Sequence, residues 1–180
     1  PVSKTVAGGT TQYFTWIYNA GTQTGTISFT GRAIASDANA GWAVDGTQVQ
    51  SNDVSVLTSA VLSSSIIIPD TDVSVGQVIT VIMSVTNDGG ATANTVNANV
   101  LTIYNDGSGS ASLASGPVPS NITLNSTQNQ LFTFTYNANQ AGVIYFSGNA
   151  RGYDSTFGLI NSPISNSAAV TIQNAVSLGA

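Results

Sequence analysis

Eight aspartates, at positions 37, 45, 53, 70, 72, 88, 106 and 154, are the only acidic side chains in these 180 residues, which contain no Glu, His or Cys. That inventory limits the chemistry available. Without His or Cys there is no imidazole base, no thiol nucleophile and no ordinary zinc or haem ligand set. Ser is abundant, but neither His nor a Ser-x-x-Lys spacing is there to activate it. Glycoside hydrolysis needs a carboxylic acid of raised pKa beside a partner carboxylate. Here the Asp residues are scattered through turn-like contexts, so the expectation is a non-enzymatic protein with no cofactor. Carboxylates can also serve as hard ligands for calcium. Asp70 and Asp72 form a D-x-D pair ahead of a predicted strand, and Asp37 and Asp154 fall at equivalent places in an internal repeat. No EF-hand or repeat-in-toxin spacing surrounds them, and Asx turns are the alternative reading. Asn121-Ile-Thr123 and Asn125-Ser-Thr127 are tandem N-glycosylation acceptors in a Pro- and Ser-rich stretch.

Charge narrows the partners. Only 6% of the residues are charged, with a net charge of −5, and the basic residues are Lys4, Arg32 and Arg151 alone. No basic patch exists to neutralise phosphates, which argues against nucleic acid, and no basic amphipathic helix exists to lie on a membrane. Ser, Thr and Asn together number 62 and supply the polar surface instead. Such a surface hardly titrates between roughly pH 3 and 8, which suits the cell exterior. With no Cys there is no disulfide staple, so burial and backbone hydrogen bonding must hold the fold. The longest apolar runs, such as Ile66 to Ile68, are too short to span a bilayer. The chain begins at Pro1 with no signal-like segment behind it and reads as processed or excerpted.

The elements that must position these residues are strands. In Gln77 to Thr86, Val78 or Ile79, Val81, Met83 and Val85 mark one face, with Thr and Ser opposite. Similar alternation runs through Tyr13 to Tyr18, Thr26 to Thr30, Val54 to Leu57, Asn99 to Tyr104, Leu131 to Tyr136, Val143 to Ser147 and Ala169 to Ile172. Turn chemistry separates them, as in Asn19 to Gly21, Asn87 to Gly90 and Asn105 to Ser108. No stretch carries a helical period. The sequence predicts an all-β chain with about seven short strands per domain.

An internal repeat organises those strands. Gln12-Tyr-Phe-Thr-Trp-Ile-Tyr-Asn-Ala20 matches Gln130-Leu-Phe-Thr-Phe-Thr-Tyr-Asn-Ala138, and Gly25 to Gly31 matches Gly142 to Gly148. Asp37 then falls on Asp154, Ser51-Asn52 on Ser165-Asn166, Ala60-Val61 on Ala175-Val176 and Pro1 on Pro119. The period is about 115 to 118 residues, close to that of one immunoglobulin-sized sandwich. Residues 66–118 occur only once, so the order is second half, first half, second half. The expected architecture is an immunoglobulin-like antiparallel β-sandwich over 63–180, preceded by a duplicated half-sandwich over 1–62. An isolated half would expose an apolar face and an unpaired edge, so another repeat or a neighbouring subunit must cover it.

Asp70 to Val96 resembles the opening strands of the immunoglobulin-like repeats of archaeal and bacterial surface proteins, of the kind named CARDB or DUF11. The shared pattern is a Val-Gly-Gln lead-in at 75–77, an alternating Val/Ile/Met strand, Asn followed by a Gly-containing turn, and a second Ala/Val strand. Gly76 permits the tight lead-in, and Asn87 to Gly90 are expected to supply positive-φ turn positions. The resemblance implies an extracellular structural or adhesive repeat and brings no catalytic motif with it.

These readings converge on a structural subunit of an extracellular filament or surface array that associates head-to-tail with itself by β-strand addition. The residues expected to bury against donated strands are Phe14, Trp16, Ile27, Phe29, Val54 and Val56. Most aromatics sit at alternating strand positions and read as core, whereas Trp42, in a Gly-rich loop, is the one to assign to a subunit or glycan contact. The alternative is an adhesin or glycan-binding module excised from a tandem-repeat stalk.

Overall fold

The computed structural model describes residues 2–175, so the Pro1 and Val176 matches of the repeat lie outside the described residues. The described residues contain strands and no helix, and the chain divides into two compact units, Pro1–Leu57 and Thr58–Ala180. The division falls a few residues before the expected 62/63 boundary. Ala60 and Leu62 are core residues of the second unit, and the Ala60 N–H donates to Asp154 at 2.7 Å.

The first unit holds six short strands, β1 (Gly25–Ile27), β2 (Thr30–Gly31), β3 (Ile34–Ser36), β4 (Ala43–Asp45), β5 (Val49–Gln50) and β6 (Val54–Val56). They pair β1 with β6, β2 with β5 and β3 with β4, as one antiparallel hairpin interrupted twice. No described residue of this unit is fully buried.

The second unit opens with β7 (Leu62–Ile67), β8 (Asp72–Ser74), β9 (Val78–Asn87), β10 (Ala93–Ala98), β11 (Thr102–Asp106), β12 (Ser110–Val118) and β13 (Ile122–Leu124). It closes with β14 (Asn129–Gln140), β15 (Gly142–Gly148), β16 (Ala150–Asp154), β17 (Gly158–Asn161), β18 (Ser165–Asn166) and β19 (Val170–Gln173). One layer has the order β12-β14-β9-β7. The other is built from β11-β15-β19-β8 and β13-β10-β16-β17. Its two parts follow the same chain segments across short breaks, where Asn99 Nδ2 donates to Asn149 Oδ1 at 2.8 Å. The opening segment changes layers, β7 pairing antiparallel with β9 and β8 running parallel to β19. This is an immunoglobulin-like antiparallel β-sandwich.

Period-two alternation creates its core. Ile79, Val81, Met83 and Val85 of β9 and Phe132, Phe134, Tyr136 and Ala138 of β14 point inward, against Val96, Ile144, Phe146, Val170 and Ile172 of the other layer. The structure thus selects Ile79 and leaves Val78 exposed. Burial pushes the Tyr136 phenol up to about 12, and the Leu101 backbone offsets part of that shift without closing a hydrogen bond of normal geometry.

Asn87 fixes the end of β9. Its Oδ1 accepts from Val61 N at 3.2 Å and Gly89 N at 3.1 Å, while Nδ2 donates to Ala91 O at 2.8 Å and Leu124 O at 3.0 Å. Gly89 and Gly90 do not take the positive φ expected of them; among the glycines of this segment that conformation belongs to Gly76, at +88°. They are glycine because residues 58–61 pass too close for a side chain. A Cβ on Gly89 would collide with the Ser59 carbonyl, and one on Gly90 would meet Thr58 Oγ1 at 2.6 Å.

Asn87→Asp replaces two buried amide donors with carboxylate oxygen facing the Ala91 and Leu124 carbonyls. The expected loss is about 3 kcal/mol or more of unfolding free energy at neutral pH, measured by urea denaturation.

Candidate functional site

The hydrogen-bond register of the first unit is that of the closing strands of the sandwich. Gly25↔Val56 and Ile27↔Val54 reproduce Gly142↔Ile172 and Ile144↔Val170. Further along, Thr30↔Gln50 reproduces Ser147↔Asn166, and Ala35↔Val44 reproduces Gly152↔Ile160. Even the side-chain clasp between the short ladders is copied. Ser51 Oγ accepts from Phe29 N at 2.9 Å while Ser51 N donates to Phe29 O at 2.8 Å. Ser167 and Phe146 make the same two bonds at the same distances. Ser51 therefore corresponds to Ser167, two positions beyond the Ser165 that sequence matching selects.

Residues 12–20 carry the β14 pattern but form no strand, contrary to the alternation over Tyr13 to Tyr18. The cause is the absence of partners. In the second unit β14 lies between β9 and β12 and pairs only with them, and the first unit contains no counterpart of either.

The consequence is an uncovered apolar face. Phe132, Phe134, Tyr136, Ile144 and Val170 are at most 1% exposed, whereas their counterparts Phe14, Trp16, Tyr18, Ile27 and Val54 are 36%, 58%, 65%, 41% and 48% exposed. Phe29 and Val56, which take the places of the buried Phe146 and Ile172, are half-buried. One aromatic pair of the closed sandwich is present at the same spacing, with its ring planes at 31° instead of 51°. Tyr18 and Phe29 have ring centroids 4.6 Å apart, against 4.7 Å for Tyr136 and Phe146. Six of the expected contact residues, Phe14, Trp16, Ile27, Phe29, Val54 and Val56, thus occupy positions that the second unit buries. Tyr18 belongs with them and was legible in the same repeat.

Trp42 stands apart from that face, at the tip of the β3–β4 hairpin, and is 74% exposed. At the corresponding tip between β16 and β17, Phe157 is 69% exposed.

The aspartates at these tips are structural. Asp37 Oδ1 accepts from Asn39 N at 2.9 Å and Ala40 N at 2.7 Å, and the Ala40 amide contributes most to holding its pKa below the ordinary carboxylate value. Asp154 Oδ1 accepts from Thr156 N at 2.7 Å and Phe157 N at 3.0 Å, while Oδ2 takes Ala60 N. The buried Asp154 carboxyl is likewise held low, chiefly by the Ala60 amide. Asx turns account for both residues. Asp70 and Asp72 border a shallow cleft with Val73, Gly76, Gln77 and Val78, where Thr71 Oγ1 donates to Asp72 Oδ2 at 3.3 Å. Among the described residues no three His, Cys, Asp or Glu side chains gather as a metal site.

Asn121 and Asn125 flank the edge strand β13, and both are exposed. Asn125 Oδ1 accepts from Thr92 Oγ1 at 3.1 Å, and its backbone N–H is held by Gln128 Oε1 at 2.8 Å.

No family model matches the chain, and no curated protein matches it. Among solved structures it is similar to the CARDB domain of a Pyrococcus furiosus protein, with 11% identity over 67% of this chain and 99% of that one and a TM-score of 0.40. It is similar to a PapD-like domain of human CEP192, with 13% identity over 66% of this chain and 89% of that one and a TM-score of 0.46. A cohesin module from Clostridium perfringens shows 13% identity over 64% of this chain and 99% of that one, with a TM-score of 0.37. The CARDB resemblance read from residues 70–96 thus has a CARDB domain among its structural neighbours. The sandwich class itself rests on the strand order and core of residues 58–175.

Two outcomes follow. Phe134→Ala is expected to cost about 3–5 kcal/mol in urea unfolding, whereas Trp16→Ala in the chain by itself shifts the same transition by no more than about 0.5 kcal/mol. Because the folded-state pKa of Asp154 is depressed, its contribution is complete above the unfolded value of about 4 and is lost as pH falls through the lower folded value. Asp154→Asn, which leaves one of three buried or half-buried N–H groups facing an amide NH2, should cost about 2–3 kcal/mol at pH 7. The gap between wild type and variant should narrow steadily below about pH 4 in denaturation curves taken at successive pH values.

Proposed function

We propose that this protein is a non-enzymatic structural subunit of the cell exterior, joined to its neighbours by completion of the half-sandwich over Pro1–Leu57. One observation carries the reading. The same apolar positions are buried in the second unit and open in the first, although the hydrogen-bond register is shared. A half-sandwich with a preformed register and an open apolar face is a receiver for β-strands, because it gains backbone pairing and apolar burial together. A contact of this kind joins unlike surfaces and does not close on itself, so repeated use generates a head-to-tail filament. The low net charge leaves little long-range repulsion between subunits, and the hydroxyl- and amide-rich surface keeps the outside hydrated. Glycans on Asn121 and Asn125 would project from the edge at β13 and protect it.

A second reading, an adhesin or glycan-binding module, is favoured by the exposed aromatics at the two equivalent hairpin tips, Trp42 and Phe157. Electron microscopy of the native material, with intact-mass measurement of the same sample, separates the two. Filaments with an axial repeat of immunoglobulin-domain size are the expected result. Isolated particles that bind oligosaccharides, and lose that binding with Trp42→Ala, would replace the first reading with the second.

A further inference from the structure

The second unit shows what a complete cover for the first would be, because it holds the same closing strands with their partners in place. Five separate ladders border those strands. β14 pairs on one side with β9, so that Met83, Val81 and Ile79 stand opposite Phe132, Phe134 and Tyr136, and on the other side with β12. β15 pairs with β11, β16 with β10, and β19 runs parallel to β8. The matching edges of the first unit are both sides of residues 12–20, the free side of β1 and β2, the free side of β3, and the free side of β6. A single donated strand could fill only one of them and would leave Trp16, Ile27 or Val54 open.

Resting on the reading above, we infer that the cover is a segment built like residues 62–118, contributed by a neighbouring molecule, with five strands that border the half-sandwich. It must present apolar residues at period two opposite Phe14, Trp16 and Tyr18, a second strand on the other side of residues 12–20, antiparallel strands along Thr26–Thr30 and Ala33–Asp37, and a short parallel strand along Ser55–Leu57. The 62–118 segment of a second copy does not meet the need, because β7 to β12 of each copy already complete that copy's own sandwich. Each set of residues 1–180 brings one such segment and two halves that require it, so exchanging segments between copies leaves one half open per copy. The neighbour therefore carries a segment of this pattern beyond the one its own sandwich uses.

The test extends the chain by placing a second copy of residues 58–118 directly ahead of Pro1, in a Trp42→Phe background where Trp16 is the only tryptophan. Acrylamide quenching of Trp16 should fall several-fold relative to the unextended chain, with its emission moving to shorter wavelength. The same extension carrying Val81→Asp and Met83→Asp in the added copy should restore the quenching. Register is checked independently of overall stability. In the natural sandwich Thr133 stands opposite Ile82, and Thr15 takes the place of Thr133. With Thr15→Cys and Ile82→Cys in the added copy, of a protein that otherwise has no Cys, mild oxidation should give that one disulfide, mapped by mass spectrometry. Unchanged quenching together with no disulfide overturns the inference. So does an unextended chain that self-associates in sedimentation and protects Trp16 by itself, since a second copy would then be the cover. The extended chain reports complementarity whether or not filaments exist, so failure of the filament reading leaves this result standing on its own.

Discussion

Everything in this chain follows from the requirement that an inward-facing strand be matched on its edge and on its face at once. Disulfides are absent and charges are sparse, so no other interaction can substitute for either match. Residues 129–140 meet both conditions, lying between two strands and against Ile144, Phe146 and Val170, and they form the longest strand of the structure. Residues 12–20, identical to residues 130–138 at six of nine positions, meet neither condition and form none. Two segments of the same pattern with opposite outcomes show that tertiary context, more than propensity, decides strand formation here.

The Tyr136 hydroxyl is buried without a partner, but the two polar side chains that anchor turns in the interior are fully used. Asn87 spends all four of its amide hydrogen-bonding positions on backbone partners from three segments, and Asp154 accepts three backbone N–H groups. Both work as clamps between neighbouring turns, and both sit where β-pairing ends and the backbone would otherwise be left unsatisfied. The pair of Ser hydroxyls at 51 and 167 does comparable work between ladders, supplying a side-chain acceptor where the strand partner breaks off.

Much of this was legible in the sequence. Alternation found β9, β14, β15 and β19, because a half-buried strand must repeat every second residue, and the duplicated Gln-x-Phe-Thr segments marked the two halves. The contact residues came from the same duplication. What the sequence concealed depended on distance in space. Nothing local distinguishes Tyr13–Tyr18 from a strand, since the missing partners lie elsewhere. Gly89 and Gly90 look like turn glycines, and only the passage of residues 58–61 reveals a steric reason. The Ser51 match slipped by two because Ser165 and Ser167 are chemically identical in a row of letters and differ only in which one reaches Phe146.

The parallel pairing of β8 with β19 has a mechanical consequence. The first strand of that layer and the last strand of the chain's described part lie side by side in the same direction, with Thr171 N donating to Thr71 O and Val75 N to Gln173 O. A pull applied through residues 70 and 175 therefore draws these two strands lengthwise past each other. Their hydrogen bonds are loaded in shear and must break together, instead of peeling open one at a time. Under tension such a domain yields at a rate set by that short ladder, and the remaining strands stay folded until it gives way.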